Sequence, residues 1–360
     1  MWPVNWPHFK EENNMNTTKA IVIEDVDTLN IEQLPMPEIG DYEVLFKSRA
    51  CSLCTIDRRA YKGARKTEYP FLGGHECAGE ILQVGKGVME LKVGDHAILT
   101  STYCMQCEND RYGHMTQCSN KWDLPRRVDF KGSMVGGGLC EYLAVPAWQV
   151  IKVNKDLPFE KICLAEPLAC VVHSIKKAKI NLGDTVVIIG FGVMGYLHLK
   201  LALLQGARVI VSEPNEYKRN RAKSEGAALV IDPTVENLTQ IVLEQTDNMG
   251  ANVVVNTIPV SSAWQQAFEI MGSYSKLICY SSQDKKEGVP VDFGKIHSKE
   301  FEIIGTVSPT LEDNSIAIKL IIYNIVDMSK VVDGIYSFDD YKEAFEKACD
   351  PNGYRTVIKY

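Results

Sequence analysis

Two kinds of hydrophobic spacing divide the chain. Between positions 17 and 100, short apolar runs at 20–23, 44–50, 78–84 and 96–100 sit between Pro, Gly and Asp punctuation. That spacing predicts strands joined by tight turns, with turn signals at Gly85-Lys86-Gly87-Val88 and Val93-Gly94-Asp95. No helical period runs long enough there to compete, so the region reads as a small, irregular, barrel-like domain. From Asn181 onward strand and helix alternate. An apolar β-branched run at Thr185–Ile189 leads into a glycine-rich stretch, and a helical pattern follows over Val193–Leu204. Further strands are expected at 208–211, 253–255, 276–279 and 302–304. This alternation is what a doubly wound parallel sheet requires. Helical patterns at 315–324 and 338–348, after a polar connector at 309–314, would return the chain to the first domain.

The pattern therefore predicts an α/β protein in two units, a first domain of 15–164 with 306–360 and a nucleotide-binding domain of 165–305. No repeat or low-complexity segment interrupts it. Met1 to His8 carry no charged segment followed by a long apolar one, so residues 1–14 do not read as a secretory signal. They are expected to be a cloning remnant or a loosely ordered extension, with Met15 the effective start.

Composition changes this picture only by exclusion. Hydrophobic residues are 45% and charged residues 24%, ordinary for a globular protein with a sizeable core. A formal charge of −7 gives no basic footprint for nucleic acid. No apolar run approaches the roughly 20 residues of a membrane span. The spacing of the cysteines points to metal ligands in a reducing cytoplasm rather than a disulfide scaffold.

The first candidate chemistry is Gly190-Phe191-Gly192-Val193-Met194-Gly195 between a strand and a helix. Gly190 permits the tight turn, Gly192 lets a pyrophosphate approach the backbone, and Gly195 lets the helix pack on the strand. The helix N-terminus at Val193 and Met194 offers N–H groups and a positive dipole end to the phosphates. Glu213 ends the second strand, where a carboxylate accepts the adenosine ribose hydroxyls and repels a 2′-phosphate, so NAD is favoured over NADP. Lys218 is placed beside the same ribose, with Arg219 and Arg221 near it. Asn256, Thr257, Ser281 and Ser282 follow later strands and are expected near the nicotinamide half.

The second is a set of metal-type residues. Cys54 lies 21 residues before His75, which is followed by Glu76; Glu166 sits just ahead of the nucleotide-binding half. Thiolate, imidazole and carboxylate suit zinc. Cys104, Cys107, Asp110 and Cys118 have the spacing of a zinc loop in which one thiolate is replaced by a harder oxygen ligand. That exchange should weaken zinc binding. His114 is an alternative ligand there.

Together Gly74-His75-Glu76, the cysteine lobe at 104–118, Gly138-Leu139-Cys140-Glu141-Tyr142, Glu166-Pro167-Leu168 and the glycine fingerprint resemble the zinc-dependent medium-chain alcohol dehydrogenases, in the sorbitol and threonine dehydrogenase branch. The resemblance covers about residues 17–360. It implies a GroES-like catalytic domain, a Rossmann domain, and a catalytic zinc on Cys54 and His75 with Glu76 or Glu166 as third ligand. It implies a possible structural zinc on Cys104, Cys107, Asp110 and Cys118, and a role for Asp57 in orienting the zinc-bound histidine. It also implies a homodimer or homotetramer acting on a small-molecule alcohol or ketone.

The chain departs from that family where an alcohol proton is relayed. The usual hydroxyl residue is Ile56, and the usual histidine is Arg59. Thr55 is one residue early and, on a strand, would face away. Proton transfer is then expected through zinc-bound water and Glu76, or through a substrate hydroxyl. Arg58 and Arg59 would instead grip an anionic or polyhydroxylated substrate. The expected function is hydride transfer between a secondary alcohol on a polyol, cyclitol or sugar derivative and NAD. Its rivals are a zinc-poor reductase of activated double bonds or quinones, and a silent nucleotide-binding homologue.

Overall fold

The computed structural model describes residues 16–282 and 288–360. The expectations for residues 1–14 and for Met15 lie outside the described residues.

Six parallel strands form the nucleotide-binding sheet. Their spatial order is Leu229–Ile231, Arg208–Ser212, Thr185–Ile189, Ala251–Asn256, Met271–Cys279 and Glu302–Gly305. The chain starts in the middle, winds to one edge, then returns and winds to the other. The order reverses between Thr185–Ile189 and Ala251–Asn256, so a crevice opens at the carboxyl ends of those two strands. The central strands are nearly all Val and Ile and are buried on both faces, as helix-covered parallel strands must be.

The remaining strands build two further sheets. One runs Val332–Ser337, Arg355–Lys359, Glu43–Ser52, Glu76–Val84, His96–Leu99 and Val150–Val153, with Tyr142–Pro146 also paired to Glu43–Ser52. The other joins Thr17–Asp25, Thr28–Pro35, Phe71–Leu72 and Ser133–Met134. The late strand Arg355–Lys359 thus lies directly against the early strand Glu43–Ser52.

Three details differ from the sequence expectation. The segment after Cys54 is a helix, Thr55–Tyr61, inside the region read as strands only. Its seven residues are too few to show a period, and it is set by its cap: Asp57, at the third helical position, accepts from the Cys54 N–H. The strand Thr28–Pro35 extends across a stretch with no clean apolar run. The connector at 309–314 is already helical from Leu311, because Thr310 and Asp313 form a reciprocal cap that starts Leu311–Ile322 early.

The helix Leu311–Ile322 packs along Ala165–Ala178, and one apolar core joins both to the nucleotide-binding sheet and to Val357 of the late strand. Among the described residues no helix is long and apolar enough to cross a membrane.

Candidate active site

Cys54 caps the helix Thr55–Tyr61, and His75 and Glu76 stand at the start of the strand Glu76–Val84. Their ligand atoms lie within 4.8 Å of one another. Asp57 ties the two segments together, accepting from Cys54 N at 2.8 Å and from Gly74 N at 3.2 Å. It makes no hydrogen bond to His75, whose Nδ1 is buried without a partner. Asp57 thus fixes the backbones that carry the ligands, and its charge acts on the His75 ring without a direct hydrogen bond.

Glu76 is fully buried, and both its oxygens are held by Arg355: Nη2 donates to Oε1 at 2.6 Å and Nε to Oε2 at 3.0 Å. Arg355 Nη2 also points at Cys54 Sγ, 3.7 Å away. Burial would raise the Glu76 carboxyl, but the guanidinium, with His75, brings it below the usual range. Glu166 faces the same space from the helix Ala165–Ala178, accepting from the Cys170 thiol at 3.3 Å. Burial raises its pKa, with Glu76 adding to the effect. Burial opposes a charged His75, yet Cys54, Glu166 and Asp57 lift it well above the ordinary value. A cysteine sulfur, an imidazole and two carboxyl groups thus converge beside one guanidinium. That donor set fits a divalent zinc ion.

The group opens into a cavity of about 780 Å³ that also reaches Thr55, Ile56, Met194 and Tyr280. Thr55 is the first helical residue, not a strand residue. At helical steps it and Ile56 both reach the cavity. Its Oγ1 accepts from Arg58 Nη2 at 3.0 Å. Arg58 and Arg59 do not line the cavity. Arg58 donates to the Ala348 carbonyl, and Arg59 to that of Ala64. Arg58 stands one helical turn from Thr55, its guanidinium held between Thr55 Oγ1 and the Ala348 carbonyl, so the cavity lining gives no support to the substrate-gripping role expected of the two arginines.

Gly190 has φ +91, and a Cβ there would meet Thr257 Oγ1 at 2.6 Å. A Cβ on Gly195 would lie 2.1 Å from the Gly190 carbonyl oxygen, so helix and turn pack too closely for any side chain. Around Gly192 there is open space, beside the free N–H groups that begin Val193–Leu204. This is a cradle a pyrophosphate fits. Glu213 is 7% exposed and accepts from Phe191 N at 2.7 Å and Asn215 N at 2.9 Å, closing the turn from below. Lys218 donates to the Pro351 carbonyl, and Arg219 is paired with Asp232 at 2.8 Å. Arg221 lies over the Tyr354 ring at 4.1 Å. Thr257 spends its hydroxyl on the Ile189 and Gly190 carbonyls. Asn256 accepts from Ile258 N and leaves a buried Nδ2 without a partner, as does the Ser281 hydroxyl beside it. Ser282 ends the described stretch before residue 283.

The cysteine lobe forms a second cluster. The ligand atoms of Cys104, Cys107, Asp110 and Cys118 lie within 4.8 Å of one another. Asp110 Oδ2 accepts from Cys104 N and Met105 N, both at 2.8 Å, and Oδ1 is buried without a partner. Cys104 Sγ receives the N–H groups of Gln106 and Cys107 at 3.3 and 3.2 Å. Backbone donors aimed at sulfur, with an unpaired carboxylate oxygen alongside, fit a cation held by three thiolates and one oxygen. His114 is exposed and stands outside the cluster.

Sequence reasoning missed Arg355, Tyr280 and Arg127. Arg355 is 279 residues from Glu76, and its only local signal is a lone charge heading an apolar strand. Tyr280 follows the strand Met271–Cys279, and its ring meets the buried His198 edge-on at 4.7 Å. Arg127 sits in the loop after the cysteine lobe, with the one anomaly of being 4% exposed.

Residues 40–155 match the alcohol dehydrogenase GroES-like domain, and residues 193–322 match the zinc-binding dehydrogenase family. The L-threonine 3-dehydrogenase of Pyrococcus horikoshii is 31% identical over 326 residues, covering 87% of this chain and 90% of that protein. The D-arabitol-phosphate dehydrogenase of Enterococcus avium is 27% identical over 342 residues, covering 92% and 94%. The solved structure of galactitol-1-phosphate dehydrogenase from Escherichia coli shares the fold, with a TM-score of 0.83 at 24% identity over 95% of this chain and 100% of that one. With matches to both family models and a relative this similar along most of its length, the chain belongs to the zinc-dependent medium-chain alcohol dehydrogenases, a family of oxidoreductases.

Proposed function

We propose that the chain transfers hydride between a secondary alcohol of the polyol type and NAD, at a zinc ion held by Cys54, His75 and Glu76 with Glu166 facing them. The observation that carries this reading is the convergence of thiolate, imidazole and carboxylate within 4.8 Å at the floor of a cavity that reaches Met194 of the cofactor helix. Polyol chemistry is supported by the relatives named above, one of them an arabitol-phosphate dehydrogenase. Zinc bound there supplies a Lewis acid that lowers the pKa of an alcohol hydroxyl, and NAD supplies the hydride acceptor.

The protein's own residues prepare that exchange. Asp57 holds the Cys54 and Gly74 backbones in register. Arg355 keeps Glu76 ionised and fixed in the dry floor. Thr55 Oγ1, accepting from Arg58, keeps its own proton available toward the cavity. It is the side-chain hydroxyl we assign to the first step of proton transfer where Ile56 has none. Met194 and Tyr280 wall the space between floor and cofactor turn and exclude water.

NAD is favoured over NADP because Glu213 stands at the ribose end and its neighbouring cations are engaged: Arg219 by Asp232, Lys218 by Pro351. We assign Cys104, Cys107, Asp110 and Cys118 to a second, weaker zinc. The two-domain division at 165–305 follows the sheet that carries the nucleotide turn. A cytoplasmic setting is supported by eleven cysteines, all free. A homodimer or homotetramer is supported by the edge strand Glu302–Gly305, which leaves Ile303 exposed.

The test is reduction of NAD across neutral polyols, cyclitols, polyol phosphates and hydroxy-amino acids, with and without a strong chelator. Chelator-sensitive turnover, lost in Cys54→Ala and His75→Ala together with one zinc per subunit, is expected. Turnover retained by either variant would overturn the catalytic-zinc assignment. Tight NAD binding with no turnover on any alcohol would leave a silent nucleotide binder.

A further inference from the structure

The active-site cavity is lined by two chemically distinct groups. One is the cysteine, histidine and two glutamates described above. The other comes from the loop that follows the cysteine lobe, where Lys121, Trp122, Arg126 and Arg127 form one wall of the cavity. Three cations therefore lie within one seven-residue segment.

Among the described residues none of the three has a carboxylate partner. Arg127 is 4% exposed, yet its guanidinium meets only neutral oxygens: the Gly136 carbonyl at 2.8 Å, the Thr100 carbonyl at 3.3 Å and Gln149 Oε1 at 2.8 Å. Burial pulls its pKa down to about 10, which still leaves it charged at neutral pH. A buried guanidinium with no carboxylate is an expensive arrangement, since a charge in a low-dielectric site is normally paired. Arg126 uses Nη1 on the Phe130 and Gly132 carbonyls, at 2.5 and 2.6 Å, and forms no ion pair among the described residues. Lys121 forms none either; its ammonium sits 5.0 Å from the centre of the Trp122 ring, which is 78% exposed. The one carboxylate on this side is the exposed Glu68. Asp123, in the same segment, does not face the cavity.

We propose that this wall is a subsite for an anionic group, a phosphate monoester or a carboxylate, carried by the polyol whose reacting hydroxyl lies at the floor. The inference rests on the alcohol-dehydrogenase reading and names the substrate class for that site. The negative group supplies the charge that Lys121, Arg126 and Arg127 lack, while the carbon chain between passes the exposed face of Trp122. A cavity of about 780 Å³ has room for a five- or six-carbon chain with such a group at one end. The anion-gripping role expected of Arg58 and Arg59, which do not line the cavity, passes to this later loop.

The experiment measures binding directly, so that it does not depend on turnover. The full chain is titrated calorimetrically, in parallel, with a hexitol, the matching hexitol phosphate and the matching hexonate. Each titration is repeated at low and high salt and with K121Q/R126Q, which removes two charges but keeps polar side chains. The thermal midpoint of the variant is measured alongside, and R126K is the conservative control.

The expected result is that an anionic ligand binds at least tenfold more tightly than the hexitol. That advantage should shrink at high salt, disappear in K121Q/R126Q and survive largely in R126K. Preference for the phosphate or for the hexonate names which anion the site takes. Equal affinity for the neutral and both charged ligands overturns the proposal, as does an advantage that persists in the double variant. Where the enzyme binds the anion but oxidises no alcohol, the proposed reaction fails and the subsite stands.

Discussion

Replacing Arg355 by methionine removes the guanidinium bound to Glu76 and leaves a fully buried carboxylate facing Cys54 and Glu166. The pair is bidentate, at 2.6 and 3.0 Å, with the two side chains 3% and 0% exposed. Solvent cannot take over the lost contact. Breaking a buried pair from one side costs about 3–5 kcal/mol. For a chain of this length the unfolding entropy is about 0.75 kcal/mol/K, so the thermal midpoint should fall by about 4–7 °C. Scanning calorimetry on chelator-treated protein measures this. The cause is an uncompensated charge rather than a hole, so Glu76→Gln in the same chain should restore much of the loss, and the two substitutions should be strongly non-additive. A divalent cation supplies the same missing charge, so added zinc should narrow the gap between Arg355→Met and the parent. A midpoint within 1 °C of the parent, or additive effects in the double variant, would refute the reasoning.

Three further outcomes follow from the geometry. Gly192→Ala points its methyl into open space and should keep the parent's thermal midpoint while weakening NAD binding at least tenfold by fluorescence titration; Gly195→Ala, 2.1 Å from the Gly190 oxygen, should lose stability as well. His198 is buried between the Met194 carbonyl and Ser174, and burial brings its pKa down to about 4. The unfolded chain, titrating near 6.5, then binds more protons. Its stability contribution is complete above pH 6.5 and is lost as pH falls toward 4, by up to about 3 kcal/mol. Urea unfolding between pH 7 and 4.5 should show this slope, and His198→Asn should flatten it. In the cysteine lobe, Cys118→Ser should lower zinc by one atom per chain, measured by atomic emission, and unchanged zinc would show that the three thiols and Asp110 hold none.

What the sequence made legible follows the range of the interactions. The nucleotide turn was readable because strand, glycines, helix and acid are neighbours, and each residue's task is local to a turn of about six residues. The parallel sheet was readable for the same reason, through Val- and Ile-rich runs such as Thr185–Ile189. The helix Thr55–Tyr61 was not, because an amphipathic period needs more than two turns to show and its start depends on the Asp57 cap. That single misreading turned Thr55 away from the cavity that it lines. Arg355 lay beyond reach altogether, since nothing near it records that strand Arg355–Lys359 will lie beside Glu43–Ser52. Arg127 was equally hidden, because the absence of a counter-ion is a property of the fold, not of the loop.

The placement of Arg355–Lys359 also sets an order of events during synthesis. The strands that carry Cys51 and Glu76 leave the ribosome early, yet the strand that completes their sheet arrives only after all six strands of the nucleotide-binding sheet have been made. The inserted sheet has only short-range crossovers to close and can fold first, while the earlier segment waits with an open edge and an unbalanced Glu76. The strand Arg355–Lys359 then acts as a latch. The metal-binding floor reaches its final charge balance only once Arg355 has been made, and a polypeptide interrupted before it would fold its cofactor half without assembling a finished catalytic one.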